Sequence, residues 1–256
     1  MMLLRSLIMA FSTFSQIPMP KVEWEPDSMR YMLCFFPLVG IVIGLILAAW
    51  VMLCEAVGFG TLLRAAGIVI IPIAVSGGIH MDGFADTCDA LASNAGPERR
   101  REILKDPHTG AFAIIGVCMY FIAFFAFAAE LDSYAQLLPL ITIPFLSRCM
   151  SSIATVAFAP GIGKGMLFEF HNSANRHGDL LILGAMTLAC AVFLLAVNPI
   201  IGVCMLVVAF ACLGGLRIMS ENAFYGMSGD LAGFFLQMCE LFLIASIVVA
   251  SKAMGL

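Results

Sequence analysis

Residues 76–110 read SGGIHMDGFADTCDALASNAGPERRREILKDPHTG. Asp82, Asp86 and Asp89 stand at i, i+4 and i+7. On a helix turning about 100° per residue they fall near 0°, 40° and −20°, so three carboxylates share one narrow face. An apolar run over 65–79 delivers this face, and another begins at Ala111. Carboxylates are rare in such surroundings and costly unless paired or metal-bound. The stretch therefore reads as a site for a divalent cation and a phosphate-bearing substrate at a membrane surface.

The runs on either side decide the fold class. The chain has 256 residues, of which 62% are hydrophobic and 12% charged. A soluble domain is nearer half apolar and a quarter charged. Several runs reach the roughly 20 residues that span a bilayer, and none alternates as barrel strands do. The expected fold is an all-α polytopic membrane protein with about seven transmembrane helices, in one domain over 1–256, and the lipid bilayer is its first partner. The net charge of −4 argues against nucleic acid as a partner. Nine cysteines are scattered without a CxxC pair, which suits small apolar packing residues better than zinc ligands or disulfides.

No clean small-x-small cleavage site precedes Pro18-Met19-Pro20, so the first stretch reads as an interfacial or re-entrant helix ending at Pro18. Spans are expected at 31–57, 61–79, 111–130, 134–159, 180–197, 200–216 and 231–250. Gly40 and Gly44 form a GxxxG pair in the first, and Pro72 is expected to kink the second. Polar loops are expected over 80–110, 160–179 and 217–230. With the N-terminus inside, Arg5, Lys21, Arg30, Arg99, Arg100, Arg101, Lys105, Lys164, Arg176 and Arg217 lie inside, ten of the 13 bases. That bias orients the three polar loops towards the cytoplasm.

The chemistry of each candidate follows from its type. Asp82, Asp86 and Asp89 would repel one another without a cation, and hard oxygens beside phosphates suit Mg²⁺. Gly83 leaves room for substrate against the backbone. His80 fits either a structural role or a contact to substrate. Arg99, Arg100, Arg101 and Lys105 fit a pyrophosphate or an ordinary inside anchor, with Lys105-Asp106 beside the acidic face favoured as substrate contacts. Arg148, within an apolar span, needs a ligand or a buried partner, for which Glu240 is the candidate. GIGKG around Lys164 is not a Walker A sequence but offers a phosphate-contacting loop. Arg217 opens the third loop and joins the substrate-contact candidates. Asp230, in the Ser228-Gly229-Asp230 turn, either caps a helix or completes the metal and catalytic set.

HMDGFADTCDAL, residues 80–91, resembles the HxDGxADTxDGL signature of the cobalamin synthase family, the adenosylcobinamide-GDP ribazoletransferases. Collinear pieces extend the resemblance along nearly the whole chain: FSTFSQIPMP, FFPLVGIVIG, EILKDPHTGAFA, PFLSR, GIGKG and YGMSGDLAG. Ala90, Pro107-His108 and the turn at Tyr225–Ser228 depart from the family pattern without removing a carboxylate. The resemblance implies a Mg²⁺-dependent membrane transferase. It would join adenosylcobinamide-GDP, a corrinoid nucleotide, to α-ribazole or its 5′-phosphate, with loss of GMP. It implies Asp82, Asp86 and Asp89 as metal ligands, and Asp230 as a fourth ligand or base. It also implies a bacterial or archaeal cytoplasmic (inner) membrane, with a homo-oligomer or a complex with other cobalamin-assembly enzymes as an open expectation. CDP-alcohol phosphotransferases also space aspartates around a metal, but Asp86 stands where their arginine belongs and the second half of their motif is missing. An ion transporter would line a path with Asp82, Arg148 and Glu240.

Overall fold

In an apolar solvent every backbone N–H and C=O must be satisfied within its own segment, so the apolar runs fold as helices. The computed structural model describes residues 2–132, 134–161 and 166–255. Its helices are α1 (Met2–Phe14), α2 (Pro26–Met29), α3 (Met32–Val57), α4 (Thr61–Ser76), α5 (Ile79–Ala92) and α6 (Pro97–Ile103). They continue with α7 (Ala111–Ala129), α8 (Tyr134–Ala157), α9 (Met166–Ser173), α10 (Arg176–Val197), α11 (Pro199–Phe224) and α12 (Gly229–Ala253).

Among the described residues six helices, α3, α7, α8, α10, α11 and α12, are each long and apolar enough to cross a membrane. Helices α4 and α5 pass the same test only as a pair, bent by 97° at the break between them, and taken together they make a seventh passage. The expected count of about seven therefore holds, but one passage is broken. The break falls at Gly77-Gly78, with φ of 68° and 78°. Two successive left-handed residues are cheap only for glycine. The N–H groups of Gly77 and Gly78 donate back to Ala74 and Ile73, closing the end of α4. Pro72 lies inside α4, and the sharp turn comes beyond it, where the glycines permit it.

Three helices form the centre. Ile43 of α3, Leu146 of α8, and Leu243, Ile244 and Ile247 of α12 are completely buried. Gly40 and Gly44 sit where an added Cβ would strike the backbone of α8 at Pro144 and Ile141. The GxxxG pair is thus a helix contact surface. The outer helices α7, α10 and α11 expose Met119, Ile122, Leu188 and Val207, as lipid-facing helices do.

Several boundaries differ from expectation, among them α10, which begins at Arg176 rather than 180. The run 217–224, expected as loop, continues α11 as helix. It lacks glycine and proline, and Arg217 Nε donates to Glu221 Oε1 at 3.0 Å, an i,i+4 pair that supports helix in water. Hydropathy ends a span at the first charge, whereas a helix ends only where its backbone is broken. The N-terminal helix likewise stops at Phe14 rather than Pro18, its exit held by Gln16 N–H donating to Val75 O at 2.7 Å.

Candidate active site

The site lies at one end of the bundle, where α5 crosses the first turns of α12 and α7. Gly83 and Gly233 make that crossing close. A Cβ at Gly83 would stand 2.7 Å from the Asp230 Cα, and one at Gly233 would stand 2.7 Å from the His80 carbonyl oxygen. The space expected for substrate at Gly83 is therefore occupied by α12. The consequence is chemical, because Asp82 and Asp230 now stand on adjoining turns of two crossed helices.

Asp230 is free for this role because another residue caps its helix. Ser228 Oγ accepts from Leu231 N–H at 3.2 Å, so α12 needs no cap from Asp230. The approach to α12 is pinned to the chain after α8. Gly161 N–H donates to Met227 O at 2.7 Å, and Met227 N–H donates to Ala159 O at 2.9 Å. The second and third loops thus meet over the first.

Together they enclose a cavity of about 420 Å³. Asp82 and Asp230 line it together with Arg101 of α6, Lys105 beyond its end, Gly161 and Ser228. Phe14, Phe36, His80 and Phe170 line another part. A pocket that is mostly apolar, with a few convergent charges, is the ordinary form of a small-molecule site.

The three aspartates of α5 do not act alike. Same face is not same point, since seven residues advance a helix by about 10 Å. Asp89 lies at the far end and spends its carboxylate on α7. Gly110 N–H donates to its Oδ2 at 2.6 Å, and Ala113 N–H donates to its Oδ1 at 2.9 Å. It thereby caps a helix whose own first residue has no capping side chain. Asp86 is pushed up to about 6, by burial first and then by the charges of Asp82, Asp230 and Asp89. The field around Asp82, Asp86 and Asp230 thus favours a cation or a proton.

Among the described residues, no three His, Cys, Asp or Glu side chains already converge as a metal cage. Mg²⁺ seldom uses one. It is commonly held by one or two carboxylates and the phosphates of its substrate, keeping water elsewhere. The hard oxygens of Asp82, Asp86 and Asp230 at a cavity that basic residues also line fit that mode.

The remaining candidates divide. His80 and Lys105 line the cavity. Asp106 points to solvent and holds His108, whose Nδ1 is 2.7 Å from its Oδ1. Arg217 is exposed, paired with Glu221, and away from the cavity. Lys164 lies outside the described residues. Arg148 is a correction to the substrate-contact reading. It is 1% exposed, and its Nη1 donates to Glu240 Oε1 at 2.9 Å and to Pro144 O at 2.9 Å. Ser147 Oγ donates to the same Glu240 oxygen at 2.8 Å. The transporter reading loses its path with this pairing, because neither Arg148 nor Glu240 lines the cavity.

Sequence reasoning missed Phe14, Phe36 and Phe170. Each sits in or beside an apolar run, where an aromatic residue carries no local mark of a binding role. His80 offered one signal. It is buried, held to about 3 by burial and then by the charge of Arg148, and its Nε2 has no hydrogen-bond partner among the described residues.

The family model described as Cobalamin-5-phosphate synthase matches residues 6–248. A relative from Lachnoclostridium phytofermentans, named adenosylcobinamide-GDP ribazoletransferase, is 40% identical over 248 residues, covering 96% of this chain and 94% of its own. Relatives of the same name from Clostridium botulinum and Syntrophobacter fumaroxidans are 31% and 30% identical, each over 93% of this chain and 95% of their own. No solved structure matches the chain. The match runs from α1 into α12 and takes in every wall of the cavity, so the chain belongs to the cobalamin-5-phosphate synthase family.

Proposed function

We propose that the chain is a Mg²⁺-dependent transferase that joins adenosylcobinamide-GDP to α-ribazole or its 5′-phosphate. The products are adenosylcobalamin or its phosphate, and GMP. One observation carries the reading: Asp82 and Asp230 share a cavity with Arg101 and Lys105 at a single end of an apolar bundle. Membership of the family makes the chain a transferase of cobalamin synthesis, and the names of its relatives supply the substrates.

A ribose hydroxyl of the acceptor attacks the phosphorus that carries the corrinoid. A new P–O bond forms there, the pyrophosphate bridge breaks, and its oxygen leaves with GMP. Asp82 or Asp230 takes the hydroxyl proton. Arg101 and Lys105 bind the pyrophosphate and favour the charge that gathers on the leaving phosphate. Mg²⁺, held by Asp82, Asp86 and Asp230, would supply further neutralisation of the pyrophosphate. Asp89 sets α7 against α5 and so positions the carboxylates above it.

The test is GMP release from adenosylcobinamide-GDP by the purified protein in detergent. Release is expected only with α-ribazole or its phosphate present, and a chelator of divalent cations should stop it. Release without acceptor, or none from folded wild type, overturns the reading. The charge bias supports a cavity open to the cytoplasm, and a reporter active only there should work when fused after Asn94. A silent reporter on a well-expressed fusion reverses the orientation.

A further inference from the structure

A phosphate placed beside Asp82, Asp86 and Asp230 meets carboxylates that already repel one another, so it needs N–H and O–H donors as well as cations. The turn that enters α12 carries such donors. Ser228 is the N-cap of this 25-residue helix, and its Oγ accepts from Leu231 N–H at 3.2 Å. That bond uses an oxygen lone pair and leaves the hydroxyl proton, which finds no acceptor among the described residues. Gly229 is the first residue of the helix, and its N–H has no acceptor among the described residues either. The first turn of any helix leaves its N–H groups in this state.

Both groups stand on open ground. Ser228 is half-buried, Gly229 is exposed, and both line the cavity. A Cβ added to Gly229 would meet nothing within 4 Å. The Arg101 guanidinium stands by the same turn, since a Cβ on Gly161 would lie 3.1 Å from Met227 O and 3.6 Å from Arg101 Nη2. The paired backbone bonds of Met227 to Ala159 and Gly161 hold the turn in place. The positive end of the α12 dipole adds to the attraction for an anion. Elsewhere in the same wall, Ser151 is 4% exposed and its hydroxyl makes no hydrogen bond among the described residues. A nearly buried hydroxyl without a partner marks the cavity as made for a polar ligand.

We propose that Ser228 is a further catalytic residue, its hydroxyl donating together with Gly229 N–H to a non-bridging oxygen of the phosphate under attack. The inference rests on the transfer reaction proposed above. Asp230, one of the two acceptors named there for the hydroxyl proton, belongs to the same helical turn. The phosphorus that meets the acceptor's oxygen therefore lies beside Ser228 and Gly229. The bonds made and broken are unchanged: the acceptor's oxygen joins that phosphorus, and the bridging oxygen leaves with GMP. Charge on the equatorial oxygens is what the two donors stabilise. Ser228 thus holds the helix with its lone pair and the substrate with its proton.

The experiment separates capping from catalysis. Ser228→Gly removes the hydroxyl at little cost to the helix, Ser228→Asp keeps a capping oxygen but offers no proton, and Ser228→Thr keeps both. Ser228→Gly and Ser228→Asp should lower kcat about 10²-fold, with KM for α-ribazole within about twofold and the melting temperature in detergent unchanged. Ser228→Thr should recover at least about tenfold of that loss. In calorimetric titrations with inorganic pyrophosphate and Mg²⁺, Ser228→Gly should bind about fivefold more weakly than wild type. A residue that only caps gives an active Ser228→Asp, and that result overturns the inference. So does a loss in Ser228→Gly that threonine does not recover, or equal binding of pyrophosphate by wild type and Ser228→Gly. If wild type transfers nothing while the pyrophosphate difference persists, the proposed reaction falls and the phosphate contact stands. If transfer proceeds and Ser228→Gly turns over within about threefold of wild type, only the role of Ser228 falls.

Discussion

Two groups of charges sit in this apolar bundle, and they have opposite fates. Arg148, Glu240 and Ser147 hydrogen-bond to one another within the bundle core, where among the described residues the Arg148 Nε is left without a partner. Asp82, Asp86 and Asp230 are like charges at the bundle's end, beside a cavity that Arg101 and Lys105 also line. Both groups look functional from sequence, since each is a charge within or against an apolar run. The difference is whether an opposite charge within the chain already pairs with them. A paired charge holds helices together; carboxylates left to repel one another beside an open cavity are held ready for a ligand.

The largest expected effect breaks the comparison at the cavity. Asp82→Asn should reduce turnover by about 10²–10⁴-fold, the range for losing a catalytic proton acceptor or charge stabiliser, with the melting temperature in detergent unchanged. A variant that stays within about threefold of wild type would remove Asp82 from the chemistry.

The core pair should respond in the opposite sense. Arg148→Met strands the Glu240 carboxylate in the core and should cost about 3–5 kcal/mol, read as a lower melting temperature and poor accumulation. The double variant Arg148→Met/Glu240→Met should recover most of that stability and retain turnover. Recovery of stability with turnover still abolished would return Arg148 to the substrate.

Asp89 lies between the two classes, and its effect should be the smallest. Asp89→Ala removes two hydrogen bonds to the start of α7 and should cost about 1–2 kcal/mol, as lost helix caps do. Its turnover should fall far less than that of Asp82→Asn. A loss as deep as that of Asp82→Asn, without loss of stability, would place Asp89 on the metal after all.

Much of the architecture was legible because it depends on local quantities. The apolar runs announced the spans, and Gly40-x-x-x-Gly44 announced a close helix contact. The misreadings have local causes too. Arg217 made 217–224 look like loop, although the backbone there has no reason to leave the helix before Tyr225, whose φ is 55°. At the site, Asp82 was legible as a carboxylate too costly to keep without purpose. The purpose of Asp89 was not, because its partners Gly110 and Ala113 are backbone groups and leave no trace in side-chain chemistry.

By itself the sequence determined that this chain is an all-helical bundle with its acidic row at one end of an apolar run. Composition and periodicity act over a few turns and need no knowledge of neighbours. Only the tertiary structure decided which charges meet. Arg148 and Glu240 pair across 92 residues of chain, and Asp82 meets Asp230 because Gly83 and Gly233 let two helices cross closely. The same folding divided the acidic row of residues 76–110, setting Asp82 at a cavity and Asp89 at a helix end. A carboxylate's role depends on what its oxygens face, and that is set by contacts between distant segments rather than by spacing along one.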